Sequence, residues 1–291
     1  MSTPSANPLS STQAALEHIG DLYRAAYVAH DPTRAPIARE VVFSENNVEM
    51  AFPDASWDAV TQELGPALTF SDPVTGQVGI FTAVMMNDTP GFLAIRLKVV
   101  ADQITEIEHM LSTRRNLSGP PTPIGDVNTF THDADLARPL ADVERDTREE
   151  MIRLSDGYFS TLENNTGDIR GTRFAPDTQR FENGMAFADV ERLFRLGTYR
   201  FNARVRDRDY FLVDETRGLV MCRAFIDHKG LLDHFTLTDG TDKRSIFREP
   251  HSWSVLELFK LKRGMITSIE ASFIGVPYNT RSPWTRQPWR G

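Results

Sequence analysis

Glu257 interrupts an apolar strand pattern. In "SWSVLELFKLK" the alternate positions Trp253, Val255, Phe259 and Leu261 form one hydrophobic face, and Glu257 stands in its middle. A carboxyl among large apolar groups must find a partner or hold its proton to a higher pH than usual. Arg223 is a candidate partner. It breaks the apolar run "GLVMCRAFI", between Met221 and Phe225, on the strand expected to pair with that of Glu257. If the two side chains meet, they form either a structural ion pair or an acid/base site. His109 is a third intruder, alternating with Ile107 and Leu111. Its imidazole titrates near neutrality and suits a general base, or else it is a hydrogen-bonded core residue. The expected catalytic set is therefore Glu257, Arg223 and His109.

Other groups would touch a substrate rather than transform it. Asn47 and Glu49 in "FSENNVEM", and Asp177, Arg180, Glu182 and Asn183 in "APDTQRFENG", fall near a pocket rim, although such residues also favour turns. Asn47, Glu49, Tyr158, Tyr210, Trp253 and Phe259 are the expected substrate contacts. Arg204, Arg206 and Arg208 share an alternating face that could hold an anion or act as a charged strand edge. The one cysteine, Cys222, lies inside an apolar run and reads as an inert buried thiol. None of the histidines forms an HxH or HExxH pair; no Gly-rich phosphate loop or G-x-S-x-G elbow is present. The expectation is chemistry without metal or cofactor.

The elements that position these groups are written twice. "ITEIEHML" (104–111) and "ITSIEASF" (266–273) share Ile, Thr, Ile and Glu in register, with Glu108 over Glu270. Each phrase follows a strand-like run and a polar turn ("ADQ", "RGM"), which predicts a hairpin. Upstream, "TGQVGIFTAVMM" meets "RGLVMCRAFIDH", and "REVVFSENNVEMAF" resembles "GTRFAPDTQRFENG". In this alignment Arg223 replaces Phe81, Glu257 replaces Ile95, and Ala271 replaces His109. A helix-like segment precedes each copy, at 12–30 and 144–163. The predicted organisation is a disordered tail (1–11), a first α+β copy (12–112), a Pro- and Gly-rich linker (113–143), a second copy (144–275) and an aromatic tail (276–291). In the tail, Tyr278, Trp284 and Trp289 stand among prolines and arginines and must cover something.

This layout is similar to the nuclear transport factor 2-like superfamily, the SnoaL-like or cystatin-like α+β barrels. The resemblance rests on the opening helix, the "RLKVVADQITEIE" hairpin and the order of elements, and covers nearly the whole chain, twice. The phrases "DPVTGQVGIFTAV", "DYFLVDETRGLV" and "GVPYNTRSPW" also look like a tandem-domain family of bacteria and fungi. The resemblance implies an α+β fold of two tandem cone-shaped barrels, each a curved antiparallel sheet wrapped around helices, with a pocket between sheet and helix. It carries no catalytic signature onto these residues. The superfamily hosts dehydratases, isomerases, epoxide hydrolases, cofactor-free lyases and plain binding domains, so fold does not name the reaction. Some of its lyases release formaldehyde from lignin-derived aromatic dimers.

A net charge of -8 with scattered arginines excludes a basic nucleic-acid footprint. No apolar stretch approaches the ~20 residues of a membrane span, and the first residues lack a signal-peptide pattern. With one cysteine, a cytoplasmic location fits. The function expected is a cofactor-independent lyase, a dehydratase or carbon–carbon lyase, acting on a small hydrophobic, aromatic, hydroxylated molecule. The alternative is a non-catalytic ligand-binding or pseudo-dimeric interaction protein. Nucleic acid and membrane are not expected partners, and a homo-oligomer is compatible with the sequence.

Overall fold

A computed structural model describes residues 11–114 and 123–285. The first copy contains α1 (Ser11–Val28), β1 (Ile37–Glu45), β2 (Val48–Met50), α2 (Ser56–Ala59), β3 (Val60–Asp72), β4 (Gln77–Met86), β5 (Thr89–Val100) and β6 (Gln103–Thr113). A short α3 (Ala134–Ala137) lies between the copies. The second copy contains α4 (Arg148–Leu162), β7 (Phe174–Glu182), β8 (Met185–Phe187), α5 (Val190–Arg195), β9 (Arg204–Asp214) and β10 (Leu219–His228). It continues with β11 (His234–Thr236), β12 (Asp242–Arg244), β13 (His251–Lys262) and β14 (Met265–Pro277).

The strand orders are β2-β1-β6-β5-β4-β3 and β8-β7-β14-β13-β10-β9, the same path drawn twice. The registers agree with the repeated phrase: Arg96 faces Glu108 as Leu258 faces Glu270. The turns agree as well. Ala101 and Asp102, like Arg263 and Gly264, have positive φ, the backbone of a two-residue hairpin turn that follows strand twist. Asn46 and Asn183 make matching clamps: each side chain accepts from and donates to the backbone of Leu111 or Phe273. Two details differ from the expected barrels. Each sheet is mixed, because its first long strand pairs parallel with its last. Each sheet is also open, ending on β2 and β3 or on β8 and β9.

Each helix covers one face of its own sheet. Leu16, Ile19, Tyr23 and Tyr27 of α1 join the core that contains Val78, Ile80, Leu93, Ile95 and Ile107. Met151, Leu154, Tyr158 and Phe159 of α4 do the same with Val220, Cys222, Phe259 and Ile269. The opposite faces pack against one another. Phe70, Phe81, Ala94 and Met110 of the first sheet share a cluster with Leu212, Met221, Phe225, Leu256 and Leu258 of the second. This explains why β4, β5, β10 and β13 are buried on both sides and read as nearly continuous apolar runs. Gly79 permits close approach, since a Cβ there would meet the Phe70 ring at 2.5 Å and the Met221 sulfur at 2.8 Å.

Polar contacts at this seam are partly reciprocal. Gln13 of α1 donates to Asp214 of the second sheet (2.7 Å), while Arg148 of α4 donates to Asp72 of the first (3.1 Å). The segment between the copies is a surface wrap: Phe130 packs on Phe92 and Phe181, and Leu136 and Leu140 are buried. The aromatic tail crosses back to the first copy, where Trp284 donates to the Ser44 hydroxyl (2.7 Å) and the Arg96 guanidinium lies over its ring, 4.3 Å from the centroid. Residues 1–10 and Trp289 lie outside the described residues. Among the described residues no helix is long and apolar enough to cross a membrane.

The copies differ most at one hairpin tip. In the first, β4 and β5 are joined by Asn87 and Asp88 alone, between the pair Met86 and Thr89. In the second, the equivalent strands β10 and β13 end on the pair His228 and His251, and residues 229–250 intervene.

Candidate active site

The second copy encloses a cavity of about 470 Å³ between α4 and its sheet. Tyr158 of α4, Glu182 of β7 and Glu257 of β13 face it at one end. Phe201, Phe247, Trp253 and Phe273 line the other, with His228 and Asn202 beside them. Strand alternation puts Trp253, Val255 and Glu257 on the same inward face. Glu257 is buried, and burial pushes its carboxyl up to about 8. The nearby Glu182 charge adds to this rise, while Tyr158 and Arg180 oppose it. Glu257 is therefore a neutral acid at neutral pH, able to donate a proton. Tyr158 is itself held well above the usual phenol range by burial and then by Glu257.

Behind Glu182 lies a buried cation. Arg180 is almost wholly enclosed, sits 3.3 Å from the Glu182 carboxylate, donates to the Tyr199 hydroxyl and stacks over Phe187 and Tyr199. At the far end the His228 and His251 rings stack at 4.5 Å and 13°. His228 donates from Nε2 to Asn202 Oδ1 (2.9 Å), which leaves Nδ1 as a buried acceptor without a partner among the described residues. Burial, and then His251, drives His228 down to about 2, so this ring is neutral across the physiological range.

Residues 144–273, the second copy, match a family model described as "Domain of unknown function (DUF8021)". No curated protein matches the chain. Among solved structures, a de novo designed protein with a curved β-sheet is 17% identical, covering 43% of this chain and 86% of its own, with a TM-score of 0.29. AclR, "a putative hydroxylase from Streptomyces galilaeus", is 15% identical over 44% of this chain and 80% of its own, with a TM-score of 0.30.

Arg223 is not the partner of Glu257. The residue opposite Glu257 on β10 is Cys222, so Arg223 points through the other face of the sheet. There it donates from Nε to Glu108 of the first copy (2.7 Å) and from Nη1 to Asp209 (2.9 Å). Arg96 donates to the same Glu108 (2.8 Å). Arg223 is thus part of the seam between copies. Phe259 lies behind the cavity wall, 5.0 Å from the Tyr158 ring. Tyr210 donates to Asp156 (2.8 Å) and packs near Phe159, away from the cavity. Asn47 accepts from Ser254 across the seam, and Glu49 is exposed on β2. Of the expected contacts, Glu257, Tyr158 and Trp253 meet in one cavity.

His109 points inward in the first copy and is wholly buried. Its Nε2 shares a 2.7 Å hydrogen bond with the Tyr23 hydroxyl, which also accepts from Trp57 Nε1 (3.1 Å). Nδ1 lies 3.4 Å from both Ser56 Oγ and Glu45 Oε2. Tyr23, Tyr27 and Phe43 enclose the ring with edge-to-face contacts. His109 is a hydrogen-bonded core residue. The equivalent site in the second copy is Ala271, directly across from Glu257. The polar intruder has moved one strand sideways between the copies, from β6 to the counterpart of β5.

Glu182, Tyr199, Phe201, His228, Phe247 and Phe273 also line the cavity, and of these only Glu182 stood among the weaker sequence candidates. The shared Glu-Asn of "SEN" and "FEN" was a usable signal, because Glu45 and Glu182 both point inward at the end of equivalent strands. Nothing local in the sequence marks Phe247, whose place depends on the fold of the 229–250 excursion.

Proposed function

We propose that the second copy is a cofactor-independent acid/base catalyst, a lyase of the dehydratase or carbon–carbon-cleaving kind, for a small hydrophobic, hydroxylated aromatic molecule. The reading keeps the nuclear transport factor 2-like relationship as its frame. One observation carries it: an inward-facing carboxyl, Glu257, held neutral in an apolar cavity beside a second carboxyl, Glu182. Two carboxyls in unlike surroundings divide the acid and base roles. In a dehydration, the Glu182 carboxylate takes a proton from the carbon next to an activating group. Glu257 gives its proton to the leaving hydroxyl, which departs as water while the carbon–carbon double bond forms. In the cleavage variant the base takes the proton of the hydroxyl, the carbon–carbon bond breaks to release an aldehyde, and Glu257 protonates the carbon left behind. Either way Glu182 ends protonated and Glu257 ionised, and one proton transfer between them resets the site. Tyr158 lies where it could hydrogen-bond the ionised Glu257.

The test is a screen of hydroxylated aromatic compounds for loss of water or formaldehyde, followed by Glu257→Gln. The variant is expected to lower kcat by roughly 10² or more in folded protein. If no such compound is converted by the wild-type chain, the catalytic reading fails and a binding role is left. The close packing of Tyr23 and Tyr27 around the buried His109 favours a second role for the first copy, as a pseudo-dimeric partner that covers the back of the working sheet.

A further inference from the structure

The excursion at 229–250 has no counterpart in the first copy, and its last residues line the cavity before the sheet resumes at His251. Ile246 and Phe247 are its contribution to the lining. Phe247 is held by the local chain: its amide donates to Ser245 Oγ (3.3 Å), and that hydroxyl also reaches the Phe247 carbonyl (3.2 Å). The Ser245 amide is tied to the Asp233 carbonyl (2.7 Å), and Arg248 is paired with Asp233. The Phe247 ring lies 4.9 Å from Phe201, 4.2 Å from His228 and 6.0 Å from Trp253, which in turn lies 4.4 Å from Phe273. The angles of Phe247 to Phe201, of Phe247 to Trp253, and of Trp253 to Phe273 are 75°, 71° and 67°. Steeply set rings offer both faces and edges to a guest, the geometry in which a further aromatic ring packs best.

We infer that the 229–250 excursion is a specificity element, and that Phe247, with Trp253, Phe201 and Phe273, forms a subsite for a flat, uncharged aromatic ring. The inference rests on the cavity being the substrate site, and it names the part of the substrate that the catalytic groups do not touch. Glu257 lies four residues beyond Trp253 on the same strand face, about 13 Å along the strand. The clamp therefore holds the ring at one end while the acid works at the other. An aromatic box can also take a quaternary ammonium. The four clamp rings carry no carboxylate, and the neighbouring His228 ring offers none, so the uncharged ring is the better match.

Isothermal titration calorimetry with 2-naphthol as probe, and with cyclohexanol and choline for comparison, tests this on the full chain. The wild-type protein is expected to bind 2-naphthol at least ~10-fold tighter than either other compound. Phe247→Ala should weaken 2-naphthol binding by ~10-fold or more, and Phe247→Tyr should largely keep it. Replacing residues 229–250 with Asn-Asp, the first copy's own turn, should abolish it. Thermal melts identify any variant that fails to fold, and Phe247→Ala answers the question if the shortened chain does not. No binding of 2-naphthol by the wild type, equal binding by Phe247→Ala, or tighter binding of choline overturns the inference. Naphthol binding that needs Phe247, without turnover of any hydroxylated aromatic, leaves the clamp standing and removes the catalytic reading. Turnover indifferent to Phe247→Ala does the reverse.

Discussion

A carboxyl that keeps its proton to about pH 8 makes a fold lose stability toward alkali. Between the ordinary carboxyl range and about 8, folded Glu257 holds a proton that the unfolded chain has released. Stability then falls by up to about 1.4 kcal/mol per pH unit through that window and levels off above it. Glu257→Gln removes this slope, so its melting temperature should match the wild type near about pH 5 and exceed it near about pH 8. Parallel curves for the two proteins would mean that Glu257 is ionised in the fold. His109→Leu should instead leave any turnover unchanged while costing ~1–3 kcal/mol, because the Tyr23 hydroxyl loses one of its two buried partners. A drop in kcat with unaltered stability would return His109 to the chemistry. Both inward positions were legible from alternation, since each breaks an apolar face with a titratable group. Arg223 was not, because β10 is apolar on both faces and alternation alone does not say which one looks at the helix. The register does: Cys222 stands opposite Glu257.

Among elements, the seam between sheets concentrates the polar cost of the fold. Glu108 is buried between two guanidiniums. Burial raises its carboxyl, but Arg223 and then Arg96 outweigh that and hold it below the usual range. The stability this contributes is present above the ordinary carboxyl pKa and is lost as pH falls through the depressed one. Arg223→Met should lower unfolding free energy by roughly 3 kcal/mol, as loss of one partner of a buried pair does. The double variant Arg223→Phe with Glu108→Leu should recover part of it, with Phe taken from the first copy's own position 81, because Arg96 keeps Glu106 but loses Glu108. Urea unfolding of the three proteins measures both; no recovery in the double variant would mean that the pair sets the packing and not only its own charge balance. The repeat, the hairpins and the opening helices could all be read from periodicity. The 229–250 excursion could not, since its polar sequence makes a small hairpin that buries Phe235 and then brings Phe247 to the cavity, an outcome decided by tertiary contacts rather than by pattern.

At the scale of the whole molecule, each copy leaves one sheet face that the other copy covers in large part, with Leu136 and Phe130 of the joining segment beside it. Residues 12–112 and 144–285 expressed apart are therefore expected to aggregate or remain poorly folded, and to yield a native-like complex when produced together. Two separately soluble, cooperatively melting halves would contradict this. The seam has a further consequence. In a two-fold homodimer every interface residue is used twice, so a change that helps one side is imposed on the other. Here Arg223 meets Glu108, but the mirrored contact does not exist: position 81 is Phe, and Glu270 is bound by His132 instead (2.9 Å). A peptide link between the halves removes the need for matched substitutions and supplies a high local concentration at no cost in contacts. Each half is then free to change alone, one closing its interior around a histidine while the other opens a cavity around an acid.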